Sequence, residues 1–196
     1  SDFYRWCPLG YFGSPASNNT YDSIASACAA CPAGRYGTDP VRRSCERCPA
    51  GYVCLGATSS ARPTDMRADN GYRCPKGHYC PTQSSIERAC PVGTFNPDQG
   101  GTNVSACRQC GEDTYQNSKG SAACKTCSSS SYTDEKGSTA CVCKGLNRAF
   151  QPSDGFCMCT PGFVFFDDSF SQSVGDGSVD CQPQVYTRCA DNEVRD

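Results

Sequence analysis

The sequence predicts a small disulfide-rich fold, an elongated ladder of short irregular β-hairpin repeats with little or no helix. Three observations carry that prediction. Nineteen of the 196 residues are cysteine, a level that marks a disulfide scaffold. Leu, Ile, Val and Phe together supply only 24 residues, well below the roughly 20% of a chain that an ordinary core needs. A phrase of cysteine, proline, any residue and glycine, followed by an aromatic, recurs along the chain. Charge-driven disorder does not fit, because 18 basic and 20 acidic residues leave a net charge of −2. Cross-links that lower the entropy of the unfolded chain must therefore stand in for the core.

The repeats follow in order. Clear copies begin at Cys7-Pro8-Leu9-Gly10-Tyr11, Cys31-Pro32-Ala33-Gly34-Arg35-Tyr36, Cys48-Pro49-Ala50-Gly51-Tyr52, Cys74-Pro75-Lys76-Gly77-His78-Tyr79 and Cys90-Pro91-Val92-Gly93-Thr94-Phe95. Degenerate copies begin at Cys110 and Cys127, where Tyr115 and Tyr132 keep the aromatic five residues on. Pro fixes φ and Gly permits a turn, so the backbone bends just after the opening cysteine. The aromatic then leaves the turn on an extended segment. A polar tip returns the chain to a closing cysteine. Each unit is too small for its own core and is expected to contact only its neighbours. No segment shows a helical period.

Closing and opening cysteines form shared Cys-x-x-Cys pairs at Cys28/Cys31, Cys45/Cys48, Cys107/Cys110 and Cys124/Cys127, shortened to Cys141/Cys143. Cys31 to Cys45, Cys110 to Cys124 and Cys127 to Cys141 each enclose 13 residues. If every unit closes its own loop, the bonds are Cys7–Cys28, Cys31–Cys45, Cys90–Cys107, Cys110–Cys124 and Cys127–Cys141. Parity adds Cys48–Cys54 and Cys74–Cys80, although these four cysteines admit three pairings. Cys143–Cys157 and Cys159–Cys181 complete the tail. The long segment from Leu55 to Arg73 reads as a loop.

Zinc is the competing reading, because Cys28-x-x-Cys31 with Cys45-x-x-Cys48 has nearly the spacing of a four-cysteine ribbon. Sharing one cysteine between successive units, the irregular intervals from Cys48 to Cys90 and the Gly, Pro and Ser content favour disulfides. No cofactor is expected. The single histidine, His78, occupies a variable repeat position and reads as an exposed turn residue. Asp176 to Asp180 and Asp191 to Glu193 lack a calcium-loop spacing. No nucleophile elbow, zinc-protease motif or phosphate loop is present, so the chain is not expected to be an enzyme. Dispersed Lys and Arg offer no track for nucleic acid. The greasiest run, Phe163-Val164-Phe165-Phe166, is too short to span a membrane. Ser1 is not an initiator methionine and no signal peptide precedes it, so the chain reads as a mature protein or an excised fragment.

Nine pairs leave Cys189 over. Its partner is a cysteine outside this sequence or one on another subunit, or it is a free thiol. Asn18-Asn19-Thr20 and Asn103-Val104-Ser105 are acceptors for N-linked glycans in the longest repeat loops. Phe163, Phe165, Phe166 and Phe170 fall off the repeat register and form a candidate contact patch.

The Cys-x-x-Cys-Pro-x-Gly-x-Tyr repeat resembles the ephrin-receptor-like cysteine-rich repeat, a relative of tumour-necrosis-factor-receptor modules, over residues 1–142. The missing Pro and Gly at Cys110 and Cys127 leave the turn geometry open there. In residues 143–196, Cys159-Thr160-Pro161-Gly162-Phe163 resembles the closing turn of an epidermal-growth-factor-like module. The tail from Asn147 through Cys181 to Cys189 looks like a segment that follows such repeats in large surface proteins of unicellular eukaryotes. The resemblance implies a secreted or cell-surface protein with no catalytic residues. Two functions are compatible with it. One is a structural or assembly module, a stalk, coat or filament subunit that contacts other protein subunits, copies of itself among them. The other is a receptor or adhesion ectodomain that binds a protein or glycan.

Overall fold

The computed structural model describes residues 7–13, 28–41, 44–167 and 171–184. The chain divides into two compact units, Ser1–Cys110 with Gln116–Cys124, and Gly111–Tyr115 with Lys125–Asp196. Among the described residues are nine small antiparallel sheets, eight of two strands and one of three. The helical element is one 3-10 turn, Val104–Ala106.

Each repeat contributes one hairpin. In the first compact unit, Tyr11–Gly13 pairs with Cys28–Ala30, Arg35–Tyr36 with Glu46–Arg47, and Tyr52–Cys54 with Gly71–Arg73. His78–Tyr79 pairs with Arg88–Ala89, and Thr94–Phe95 with Arg108–Gln109. In the second, Thr114–Tyr115 pairs with Lys125–Thr126, Ser131–Tyr132 with Val142–Cys143, and Arg148–Gln151 with Phe156–Cys159. Phe163–Phe166 lies between Gln172–Ser173 and Gln182–Pro183. The repeat aromatics from Tyr11 to Tyr132 all lie on the first strand of their hairpin. In the third repeat the aromatic comes one residue early, and the fully buried Val53 takes the fifth place after the cysteine.

The Cys-Pro-x-Gly turn explains how such short strands persist. Gly34 sits at φ +79° and Gly77 at +76°, as the third residue of a type II turn requires. The next residue closes each turn on a proline carbonyl, Arg35 N–H to Pro32 at 3.0 Å and His78 N–H to Pro75 at 3.3 Å. The degenerate copies keep that bond. Thr114 N–H donates to Gly111 O at 3.3 Å and Ser131 N–H to Ser128 O at 3.1 Å. Asp113 takes the glycine's place at φ +55°, a conformation Asp tolerates better than most residues. Ser130 reaches the same closure without a positive φ.

That turn glycine also ties repeats together. Its N–H donates to the residue six places after the next opening cysteine: Gly10 to Gly37, Gly34 to Cys54, Gly51 to Cys80, Gly77 to Asn96 and Gly93 to Gln116, at 2.7–2.8 Å. Its carbonyl accepts from the next opening cysteine, as in Cys31 to Gly10, Cys48 to Gly34 and Cys90 to Gly77, at 2.8–2.9 Å. In the second unit Asp113 makes both bonds, to Thr133 O at 2.8 Å and from Cys127 N at 2.9 Å.

The expectation that repeats touch only their immediate neighbours needs correction. A β-carbon on Gly34 would stand 2.6 Å from Gln83 O, and one on Gly77 only 2.0 Å from Gly120 O. Both oxygens belong to the repeat after next. The missing side chain lets backbone pass against backbone.

The tail shifts this register by one residue. Cys143 is the second residue of the strand Val142–Cys143, so Lys144 N–H makes the tie, to Ser130 O at 2.8 Å. Thr160 does the same to Asn147 O at 2.9 Å, and Gln184 to Gly162 O at 2.8 Å. Arg148 pins this region. Its guanidinium lies 4.6 Å from the Phe165 ring centre and donates to the carbonyls of Val179 (2.6 Å), Cys157 (2.7 Å) and Gly175 (3.0 Å).

Candidate interaction surfaces on a cross-link framework

The structure brings together Cys7 and Cys28, Cys31 and Cys45, Cys48 and Cys54, Cys74 and Cys80, and Cys90 and Cys107. It also joins Cys110 to Cys124, Cys127 to Cys141, Cys143 to Cys157 and Cys159 to Cys181. Each of the nine sheets thus carries one cross-link. The four cysteines of the ribbon-like spacing are divided among three bonds, Cys28 to Cys7, Cys31 to Cys45 and Cys48 to Cys54. Among the described residues no group of three His, Cys, Asp or Glu side chains is placed to hold a metal.

The sixth place after the opening cysteine is a site that sequence reasoning missed. It holds Cys54 and Cys80, each bonded back to its own opening cysteine. In the repeats opened by Cys90, Cys110 and Cys127 it holds the buried polar residues Asn96, Gln116 and Thr133. Asn96 Nδ2 donates to His78 O at 2.9 Å and its Oδ1 accepts from Asp98 N at 3.1 Å. Gln116 Nε2 donates to Ala123 O at 2.7 Å and its Oε1 accepts from Ser118 N at 3.1 Å. Thr133 Oγ1 meets Ser138 Oγ at 2.7 Å. In these three repeats an amide or hydroxyl stitches the hairpin's backbone in place of a disulfide, whereas Gly37 in the second repeat brings no side chain. The two cysteines already present at that offset were the available signal.

His78 lies on a strand, half-buried rather than at an exposed turn, with Nδ1 2.9 Å from Lys76 O. The Tyr72 hydroxyl donates to the Glu87 carboxylate. Burial, reinforced by that carboxylate, pushes the Tyr72 phenol up to about 12. The same bond holds Glu87 below the usual carboxylate range. Burial raises Tyr115, whose ring meets Phe150 edge-on at 5.1 Å, and lowers Arg148. Asp176 does not stand free: its Oδ1 accepts from Ser130 Oγ at 2.6 Å and Cys157 N at 2.7 Å. Asp180 Oδ1 accepts from Leu146 N at 2.8 Å.

The candidate phenylalanine patch divides. Phe163 and Phe165 are half-buried, Phe165 beneath Arg148, whereas Phe166 is 53% exposed. Phe170, Asn18 and Cys189 lie outside the described residues. Asn103 is exposed, just before the 3-10 turn. A second surface comes from the long loop, residues 55–70. The fully buried Thr58 and Pro63 anchor it, Thr58 Oγ1 donates to Asn70 O at 2.7 Å, and the Asp69 carboxylate accepts from Thr64 N at 2.8 Å. Its tip holds up Met66, 58% exposed, between Asp65 and Arg67.

These features define a class, the disulfide-rich module of short β-hairpin repeats. Within it, residues 99–141 match the family model described as tyrosine-protein kinase ephrin type A/B receptor-like. The likeness to ephrin-receptor-like cysteine-rich repeats covers that stretch, which includes both degenerate copies. No curated protein matches the chain. Among the described residues no helix is long and apolar enough to cross a membrane.

Proposed function

We propose that the chain is a non-catalytic structural and assembly module of the cell exterior, a stalk, surface coat or filament subunit that contacts other protein subunits. One observation carries the reading: every hairpin has its own cross-link, and in the first compact unit glycine ties brace successive repeats while turn glycines pack on the repeat after next. Such bracing suppresses local opening, which is what proteases and mechanical load exploit. Exposed Phe166 offers a contact for a further subunit, copies of this chain included, and Cys189 offers a covalent one. Sedimentation of protein purified from its own source tests this. Assemblies larger than a monomer, weakened by Phe166→Asp or by reduction, support the reading. A strict monomer at every concentration contradicts it.

The loop of residues 55–70 favours a second reading, adhesion or reception of a protein ligand. Ordered loops of this length with little secondary structure of their own are usually functional, and exposed Met beside Arg suits an interface. Met66→Asp separates the two: it abolishes ligand or cell attachment on the second reading and leaves assembly unchanged on the first.

A further inference from the structure

The hairpin closed by Cys90–Cys107 has a sequence separation of 17 against 14 for Cys31–Cys45. The extra residues accommodate the 3-10 turn Val104–Ala106, capped by Asn103. Asn103 Oδ1 accepts twice from one residue, from the Ser105 N–H at 2.9 Å and from the Ser105 hydroxyl. Its amide nitrogen has only a marginal partner, the Thr102 hydroxyl at 3.5 Å. Thr102, Asn103, Val104 and Ser105 are all exposed. The support beneath them is firm: Ala106 N–H returns to Asn103 O at 3.0 Å, and Gly101 O accepts from Cys80 N at 2.9 Å.

We infer that Asn103 is an N-glycosylation site that the folded hairpin both presents and tolerates. The sequence supplies the acceptor tripeptide. The structure adds that two donors occupy Oδ1 while Nδ2 keeps only the long Thr102 contact, on an exposed segment where a bulky glycan displaces no buried side chain. The transfer forms a bond between Nδ2 and the anomeric carbon of an oligosaccharide. It breaks that carbon's bond to the diphosphate of a polyprenol-linked donor, and one amide proton passes to base as the lipid diphosphate leaves. A glycan here covers exposed Val104 and takes this hairpin tip out of any protein interface. The inference rests on the extracellular reading.

The test uses protein isolated from its own secretory source, digested without reduction. Glycosidase release in heavy-oxygen water should convert Asn103 to a labelled aspartate in the peptide that contains Cys107. Asn103→Gln and Ser105→Ala should each remove one glycan step on electrophoresis, and Ser105→Thr should keep it. Should Asn103→Gln fail to be secreted, the Ser105 pair decides alone. An unmodified Asn103 peptide from protein with its disulfides intact overturns the inference and leaves the extracellular reading standing. Unmodified Asn103 together with reduced cysteines overturns both.

Discussion

Gly37 marks the place where a β-carbon would stand 3.0 Å from the Sγ of Cys31. That is about the reach of a disulfide. In the next two repeats the equivalent place holds Cys54 and Cys80, and the cross-link has moved there from the closing strand. Gly71 shows why in the third repeat: it stands where the closing cysteine would fall, and a β-carbon there would lie 2.5 Å from Val53 O and 2.8 Å from the Pro63 ring. The opening cysteine thus has two partner sites. Gly37→Cys combined with Cys45→Ala should give a bond between Cys31 and the thiol introduced in place of Gly37, read by peptide mapping. Free thiols at both positions would show that only the observed arrangement closes this hairpin.

Gly77 should resist substitution far more than Gly111. Alanine at 77 inherits φ +76° and a β-carbon 2.0 Å from Gly120 O. The left-handed conformation alone costs about 1–2 kcal/mol, and displaced backbone adds to it. Gly111 has nothing within 4 Å of such a carbon, so Gly111→Ala should stay within about 0.5 kcal/mol of wild type. Denaturant midpoints under oxidising conditions decide between them.

Asn96→Ala removes the partner of His78 O and Asp98 N from a buried site. Leaving buried polar groups unsatisfied costs about 1–3 kcal/mol. Faster amide exchange at Asp98 would locate the loss in this hairpin.

Much of this framework was legible in the cysteine rhythm, because the spacing of opening and closing cysteines is a one-dimensional property. The hairpin aromatics were legible for the same reason. Asn96 and Gln116 were not, since a polar residue in a Gly/Ser-rich loop looks solvent-exposed until the turn folds over it. Contact between a repeat and the repeat after next was also hidden, because it depends on how successive hairpins stack. The one-residue shift at Cys143 disguised Lys144 as a loop residue, though its N–H makes the inter-repeat tie. Nothing near Arg148 in the sequence announced that it would cover Phe165.

The Tyr72–Glu87 bond gives a pH signature. Tyr72 has a raised folded value, so its contribution is complete below the ordinary tyrosine value near 10 and is lost as pH rises through about 12. Glu87 has a lowered one, so its contribution is present above the usual carboxylate range and is lost as pH falls through the depressed value. Glu87→Gln should lower the Tyr72 phenol, while burial, the larger cause, keeps it above its ordinary value. A phenolate titration, with the Tyr72 component identified by Tyr72→Phe, should show that component ionising at lower pH in Glu87→Gln than in wild type.

The most direct test of the ladder is a disulfide map of native protein, alkylated without reduction and digested. One bond per hairpin is expected, with Cys48 joined to Cys54, Cys74 to Cys80 and Cys143 to Cys157. A Cys48–Cys74 or Cys54–Cys80 bond, or a set of alkylated cysteines in this region, would contradict it.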